Sequence, residues 1–586
     1  MQHAVKWVLP YVAKYKFRLS IGFFVNVMVT LTALINPYLA GRIVADVIQA
    51  GRHYLLIQYL GIMVGNTLIR SIARYGFRIL SEDTSQKILY ELRRDVYNKL
   101  HIQNFSWFDK NRVGDTMARM TGDLEAIRGF IAFDLFAIPE SILLYVSAII
   151  MMANISIPLT LAMMVLAPVV MVAAVKQGKE MRPAFRSVRD QFSRLNSVCE
   201  ENIGGNRVVK AFTREAYEIE KFTAANQAFY DSNTKTAQIR VKYMPIMESA
   251  AALLPLILLV FGSLLVINGQ IELWQMVTIS GYLWMLDNPT RMFGWYVNNM
   301  QNFITSLEKV HDMMRQKIYI QDAENPTKTV ERVDGTVEFK NVSFGYEFNN
   351  PKTYVLKNIS FKAKKGQTIG IVGSTGSGKT TLVNLIARFY EAAEGEVLVD
   401  EINVKNYKLS DLRRGISYAM QDVFLYSDTV EGNIVYGVPE ASMDVVYSSA
   451  KVTDADEFIT RMEEGYDTIV GERGVGLSGG QKQRLSLARA IATNPTILVL
   501  DDVTSAVDME TEQRIQEALA KRVLNKGEKG TGPTTFIVAH RLSAVKNADL
   551  ILVLEEGKII ERGNHESLIN HGGYYAQLYE EQRGTK

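Results

Sequence analysis

The stretch Gly373-Ser-Thr-Gly-Ser-Gly-Lys-Thr-Thr381 decides the reading of this chain. It follows a short apolar run, Thr368-Ile-Gly-Ile-Val372, and precedes an apolar pattern at helical spacing, Leu382-Val-Asn-Leu-Ile386. Strand, glycine-rich turn and helix, in that order, turn the G-x-x-x-x-G-K-[ST] spacing into a phosphate cradle. Gly373, Gly376 and Gly378 free the backbone, so N–H groups along Ser374, Thr375, Ser377 and Thr381 can converge on phosphate oxygens. The helix N-terminus adds positive potential. Lys379 reaches the same oxygens as a point charge, and Thr380 can place its hydroxyl on Mg²⁺.

Outside this stretch the chain divides into unlike halves. With 586 residues, two or more domains are expected. A net charge of +3 supplies no field for nucleic acid, and none is expected as a partner. Mean hydropathy lies near zero, as an average of a membrane half and a soluble half would. The single cysteine, Cys199, excludes an intramolecular disulfide framework and suits a reducing compartment. Lys6, Lys14, Lys16 and Arg18 precede the first apolar run without an obvious small-residue cleavage site, which reads as a retained anchor.

Uncharged or nearly uncharged runs predict six membrane-spanning helices, at about 19–41, 54–78, 131–153, 155–175, 246–267 and 273–304. The third and fourth form a hairpin turning near Ala153-Asn-Ile-Ser156. Basic residues concentrate in the N-terminal segment and in 70–130 and 176–242, whereas the connections near 42–53, 153–157 and 268–272 are poor in them. The positive-inside rule then puts the N-terminus and both long connections in the cytoplasm. Those connections keep helical spacing and read as extensions of the membrane helices, with turns at Gly114–Arg119 and Gly204–Lys210. Asp134, Glu140, Glu248 and Asp287 lie in or at the ends of spans. They attract a cationic substrate, pair with Arg74, Arg78 or Arg291, or sit in water near the cytosolic boundary. Trp284, Met285, Phe293, Trp295 and Tyr296 either offer an aromatic, adaptable surface to apolar substrates or serve ordinary helix packing and interfacial belts.

The domain boundaries follow: 1–310 for the membrane domain, 311–335 for a polar linker, 336–586 for an ATPase domain. Val337–Phe344 alternates like a strand, and Tyr346 beyond it can stack on a nucleobase. Gln421 follows the strand pattern Ile416–Met420. Thr496–Leu500 reads as a buried strand ending in Asp501, a metal-holding carboxylate, and Asp502. His540 ends another strand, Thr535–Ala539, at the same edge of a doubly wound sheet, where ligands bind. Leu477-Ser478-Gly479-Gly480-Gln481 opens a helix and forms a second phosphate-binding cap, which suits a nucleotide carried by another molecule.

In this order, GSTGSGKTT, Gln421, LSGGQ, ILVLD and His540 resemble the ATP-binding cassette (ABC) ATPases. Together with six spans on one polypeptide they resemble the half-size ABC exporters of type IV fold, over almost the whole chain. Further matches are Phe108-Asp109 with Gly114, Arg119 and Asp123; Lys210-Ala-Phe212 with Arg214 and Glu215; and Val470-Gly-Glu-Arg-Gly474. The resemblance implies an all-α six-helix transmembrane domain joined to an α/β P-loop nucleotide-binding domain in a multi-pass protein of the bacterial plasma membrane. It implies ATP and Mg²⁺ as cofactors, Thr380, Gln421 and Asp501 at the metal, and Asp502, Gln421 and His540 in catalysis. It also makes the loop tips coupling helices, sensed by Glu472 and Arg473. Two cassettes would close head-to-tail, each LSGGQ capping the other's ATP, to export amphipathic small molecules, drugs or lipids.

One position departs from the pattern. The residue after the Walker B aspartate is usually glutamate, the base that polarises the attacking water; here it is Asp502, shorter by roughly 1.5 Å. A base misplaced by about 1 Å costs on the order of 10²-fold in rate. An impaired own site beside an intact LSGGQ is the division of labour of heterodimeric exporters, so a different half-transporter is the expected partner, with a homodimer as the alternative. An ATP-regulated membrane gate or sensor and an importer of the same fold are the rival functions. With no peptidase-like extension before the first span, combined peptide processing is not expected.

Overall fold

A computed structural model describes residues 2–323, 326, 332–347, 351–503, 509–524 and 532–584. They form two compact units, one of Met1–His101 with Val113–Gln316, the other of Ile102–Arg112 with Lys317–Lys586.

The first unit is helical. Among the described residues, five runs are long and apolar enough to cross a membrane: Lys16–Gln49, Leu55–His101, Val113–Ile155, Ile157–Gly204 and Glu215–Ile267. The sixth expected span falls within the 43-residue helix Leu273–Arg315, which continues five residues past the expected start of the linker. Residues 324–325 and 327–331 of that linker, and the side chains of Arg291 and Phe293, lie outside the described residues. The helix Leu55–His101 has 47 residues, about 70 Å at 1.5 Å per residue, so it greatly exceeds a hydrocarbon core of about 30 Å. The hairpin turns at Ser156, whose extended backbone breaks the helix and whose hydroxyl accepts from Leu159 N–H at 3.4 Å.

The expected turn at Gly114–Arg119 is not there. Val113–Ala118 is helical and runs into a π-helical segment, Arg119–Asp123. The break comes earlier, at a short helix, Phe105–Lys110, flanked by extended Asn104 and Asn111. Asn111 Nδ2 donates to Trp107 O at 2.8 Å and closes that helix, so Gly114 has no turn left to make. The second expected turn is present at Gly205, followed by the short helix Asn206–Ala211.

Small residues let the membrane helices approach closely. A Cβ on Gly281 would lie 2.6 Å from Pro37 Cβ, and one on Gly41 would lie 1.9 Å from Thr278 Oγ1. Fully buried Tyr282 sits in the same seam and donates to Leu34 O at 3.1 Å.

Among its described residues the second unit contains ten strands: β1 Val337–Phe344, β2 Leu356–Ala363, β3 Thr368–Gly373, β4 Glu394–Val399, β5 Ile402–Asn403, β6 Ile416–Ala419, β7 Ile497–Asp501, β8 Thr534–Val538, β9 Leu550–Glu555 and β10 Lys558–Gly563. One sheet has the order β10-β9-β3-β8-β7-β6, parallel except for β10; the other, β2-β1-β4-β5, is antiparallel. Apolar side chains of both sheets, including Phe339, Phe361, Ile371, Val499 and Phe536, share one core. β3, β8 and β7 are neighbours, so the C-terminal ends of all three open on one edge, where ligands bind in such sheets.

Residues 102–112 belong to this unit through specific contacts. Phe105 stacks on Phe389 with ring centroids 4.5 Å apart, Tyr390 O–H donates to Asp109 at 2.7 Å, and Ile320 N–H donates to Asn104 Oδ1 at 3.2 Å.

Overpacking a tight helix contact costs about 1–3 kcal/mol. Gly41→Leu should therefore lower the melting temperature of the detergent-solubilised protein, while Gly61→Leu, with nothing within 4 Å of its Cβ, should not. Equal melting of the two variants would contradict the close approach.

Candidate functional site

The phosphate loop is held by crowding. At Gly373 (φ 149°) a Cβ would lie 2.0 Å from Leu554 O on β9, so only glycine lets the chain leave β3 there. Gly378, at φ 98° with a Cβ position 2.8 Å from Leu356, opens the helix Lys379–Asn384. Lys379 is buried and folds back over the loop, donating to Gly373 O at 2.9 Å and Ser374 O at 2.8 Å. Burial pushes its ammonium below the usual lysine range, and Asp501 and Asp502 push the other way.

Thr380 donates to Asp501 Oδ1 at 3.0 Å, which ties the loop to the end of β7. Burial raises the Asp501 carboxyl above the ordinary range; the Thr380 hydrogen bond lowers it, the charge of Asp502 raises it, and Lys379 and His540 lower it. The sequence-expected residues Lys379, Thr380, Asp501, Asp502 and His540 are thus electrostatic neighbours. Asp502 adopts left-handed backbone (φ 50°), which aspartate tolerates, and its N–H donates to Val538 O at 3.0 Å. Thr381 Oγ1 lies 2.9 Å from Tyr346 O–H, so the expected base-stacking tyrosine is fixed to the loop and stands edge-on to Phe344 and Tyr390.

The donor set fits a polyphosphate with a divalent cation. Ser377 Oγ is buried without a hydrogen-bond partner, and nothing crowds the Cβ position of Gly376. A hard cation takes oxygen ligands, and Thr380 Oγ1 and the Asp501 carboxylate offer them 3.0 Å apart.

Two expected residues stand apart. Gln421 is exposed beyond β6, and among the described residues no hydrogen bond joins it to the loop. Ser478 caps the helix Gly479–Ala492 in a closed box: Gln481 N–H donates to Ser478 Oγ at 3.3 Å and Ser478 N–H to Gln481 Oε1 at 2.8 Å. Ser478 and Gly479 are exposed, as a cap for an external ligand must be. Glu472 and Arg473 lie in an exposed turn beside it, with Lys482 Nζ donating to Arg473 O at 3.0 Å.

Several supporting residues carry no motif. Gln582 brackets the His540 turn, donating to His540 O at 3.0 Å and accepting from Leu542 N–H at 2.9 Å. Arg541 Nη1 reaches buried Glu512 at 3.1 Å. Asp454 receives Arg484 of the LSGGQ helix at 3.3 Å and Arg514 at 3.1 Å. No spacing in the sequence singles these out, because each pairing crosses tens of residues.

Comparison with known proteins agrees with this geometry. The ABC transporter transmembrane region model matches residues 19–289, and the ABC transporter model matches 356–505. An ABC transporter ATP-binding protein of Bacillus subtilis (strain 168), YknU, is 37% identical, over 95% of this chain and 94% of that protein. The chain belongs to the ABC transporter family. The putative multidrug export ATP-binding/permease protein YgaD of the same bacterium is 32% identical, over 98% of each chain. Among solved structures, a bacterial Atm1-family ABC exporter with ATP bound matches with a TM-score of 0.79 at 26% identity, covering 97% of this chain and 99% of that one. This ABC protein is accordingly an integral membrane protein with a helical membrane region and an α/β nucleotide-binding domain.

Hydrogen bonds to charged partners contribute about 1.5–3 kcal/mol. Lys379→Ala should weaken binding of a fluorescent ATP analogue on the order of 10²-fold. An unchanged affinity would remove Lys379 from the site.

Proposed function

We propose that this chain is one half of an ATP-driven exporter of amphipathic small molecules, drugs or lipids, and that it works with a different half-transporter. In this reading six spans cross the membrane, and the N-terminus and the ATPase domain lie in the cytoplasm. The observation that carries the pairing is an exposed, intact LSGGQ cap on the same chain as Asp502. The name of the multidrug-type relative YgaD supports export.

The loop residues Gly373–Thr381 bind the phosphates, Lys379 neutralises their charge, and Tyr346 stacks on the adenine. Thr380, Gln421 and Asp501 would hold Mg²⁺, which offsets the negative charge that develops on the phosphates. Asp502 is the base for the attacking water, held too far back for fast hydrolysis, and His540 contacts the far side of the transferred group. The partner's glutamate performs the faster reaction, under this chain's Ser478 and the backbone N–H groups of Gly479–Gln481. The stacking of Phe105 on Phe389 and the Tyr390–Asp109 hydrogen bond tie residues 102–112 to the ATPase core, as a coupling element requires.

Purified alone, the chain should hydrolyse ATP slowly and without stimulation by transport. In the pair, Asp502→Glu should raise hydrolysis at this site by about tenfold or more. Full transport-coupled turnover by the chain alone would sink the heterodimer, and an unchanged rate in the variant would show that something other than the base limits this site.

A further inference from the structure

The helix Leu55–His101 carries arginines at positions 70, 74 and 78. Spacing of i, i+4 and i+8 sets them on one helix face, in a column about 12 Å long. Asn66 continues the column by one more turn, with its amide donating to Asn36 Oδ1 at 2.8 Å.

Among the described residues, one of these three cations has a carboxylate within ion-pair distance. Arg74 faces Glu140 at 3.7 Å, an ion pair too long for a hydrogen bond. Arg78 lies over the Phe133 ring at 4.8 Å, a contact that supplies no counter-charge. The next residue along, Asp134, is buried and takes the Asn299 amide at 3.2 and 3.3 Å instead of an arginine. Among the described residues no carboxylate lies within ion-pair distance of Arg70 or Arg78; Glu140 attracts Arg70 only from farther off, and Arg70 Nε is buried with no hydrogen-bond partner. Positions 70–78 form the inner end of the second expected span, where arginines directed at acyl chains are costly and turn instead to headgroups, a polar cavity or a ligand. A guanidinium fork matches the paired oxygens of phosphate, sulfonate or carboxylate.

We propose that the transported amphipath has an anionic polar end, received by Arg70, Arg74 and Arg78. This rests on the export reading above and reverses the sign that Asp134 and Glu140 suggest, because Glu140 faces Arg74 and Asp134 is held by the Asn299 amide.

The test uses the intact transporter, with its partner chain where activity needs one, in phosphatidylcholine vesicles. Three fluorescent probes share one acyl chain: a lysophosphatidic acid, a lysophosphatidylcholine and an acyl trimethylammonium. ATP-dependent movement should favour the anionic probe by about tenfold or more. R70Q/R78Q should abolish that preference, and R70K/R78K should retain most of it. Equal or faster movement of the other probes overturns the charge assignment and leaves export standing. An anionic probe that stimulates hydrolysis without being moved assigns the column to bilayer lipid and also overturns it. Loss of partner co-purification in R70Q/R78Q assigns the column to the subunit interface and overturns it likewise. If no probe moves while ATP is hydrolysed, the export reading falls and the assignment falls with it.

Discussion

The phosphate loop depends on a space where no side chain fits. Gly373 passes so close to Leu554 O that β9 acts as a stop against which the loop is pressed. From that stop the chain has one way to turn, through left-handed Gly376 and Gly378 into the helix that begins at Lys379. The turn delivers Thr380 to Asp501 and Thr381 to Tyr346, so three elements distant in sequence meet at one sheet edge. Lys379 is buried among carbonyls and carboxylates, and burial alone favours its neutral form. A bound polyphosphate reverses that balance, which makes the loop a site for concentrated negative charge.

The second phosphate-binding cap obeys a different logic. Its helix is finished: Ser478 and Gln481 satisfy each other, and the exposed N-terminus needs nothing from its own chain. The Arg484–Asp454–Arg514 contacts fasten the cap's helix to the helix that follows the β7 segment. A chain with one loop that receives nucleotide and one cap that faces outward is complete only as part of a pair. In the heterodimer proposed here Asp502 would make the two sites unequal, because its backbone is anchored to Val538 O and its side chain is one methylene shorter than glutamate.

Much of this was legible in the sequence, and the reason is local. A phosphate loop, a strand ending in carboxylates and an LSGGQ cap are each set by consecutive residues, so Gly373–Thr381, Asp501 and Ser478 announce themselves. The membrane helices were legible for the same reason, through apolar runs, and their extensions through helical spacing in the polar stretches that follow. What stayed hidden depends on contacts between distant residues. Asn299 as the partner of Asp134, Gln582 around His540, and the grouping of residues 102–112 with Phe389 and Tyr390 have no spacing to betray them. Gly114 misled because glycine in a polar stretch resembles a turn, while Asn104 and Asn111 had already made the break. The antiparallel sheet was only partly visible, since β2, β4 and β5 alternate weakly and gain their register from β1 and from one another.

An unequal pair of ATP sites leaves a direct trace in which nucleotide each loop holds during turnover. Photolabelling the working transporter in parallel with azido-ATP labelled on the α-phosphate and on the γ-phosphate, with vanadate to trap the product state, identifies that nucleotide on each chain separately, because the γ-label persists only where ATP is uncleaved. Asp502 as a misplaced base predicts uncleaved ATP on this chain and trapped ADP on its partner. Equal trapping of ADP on both chains would contradict it.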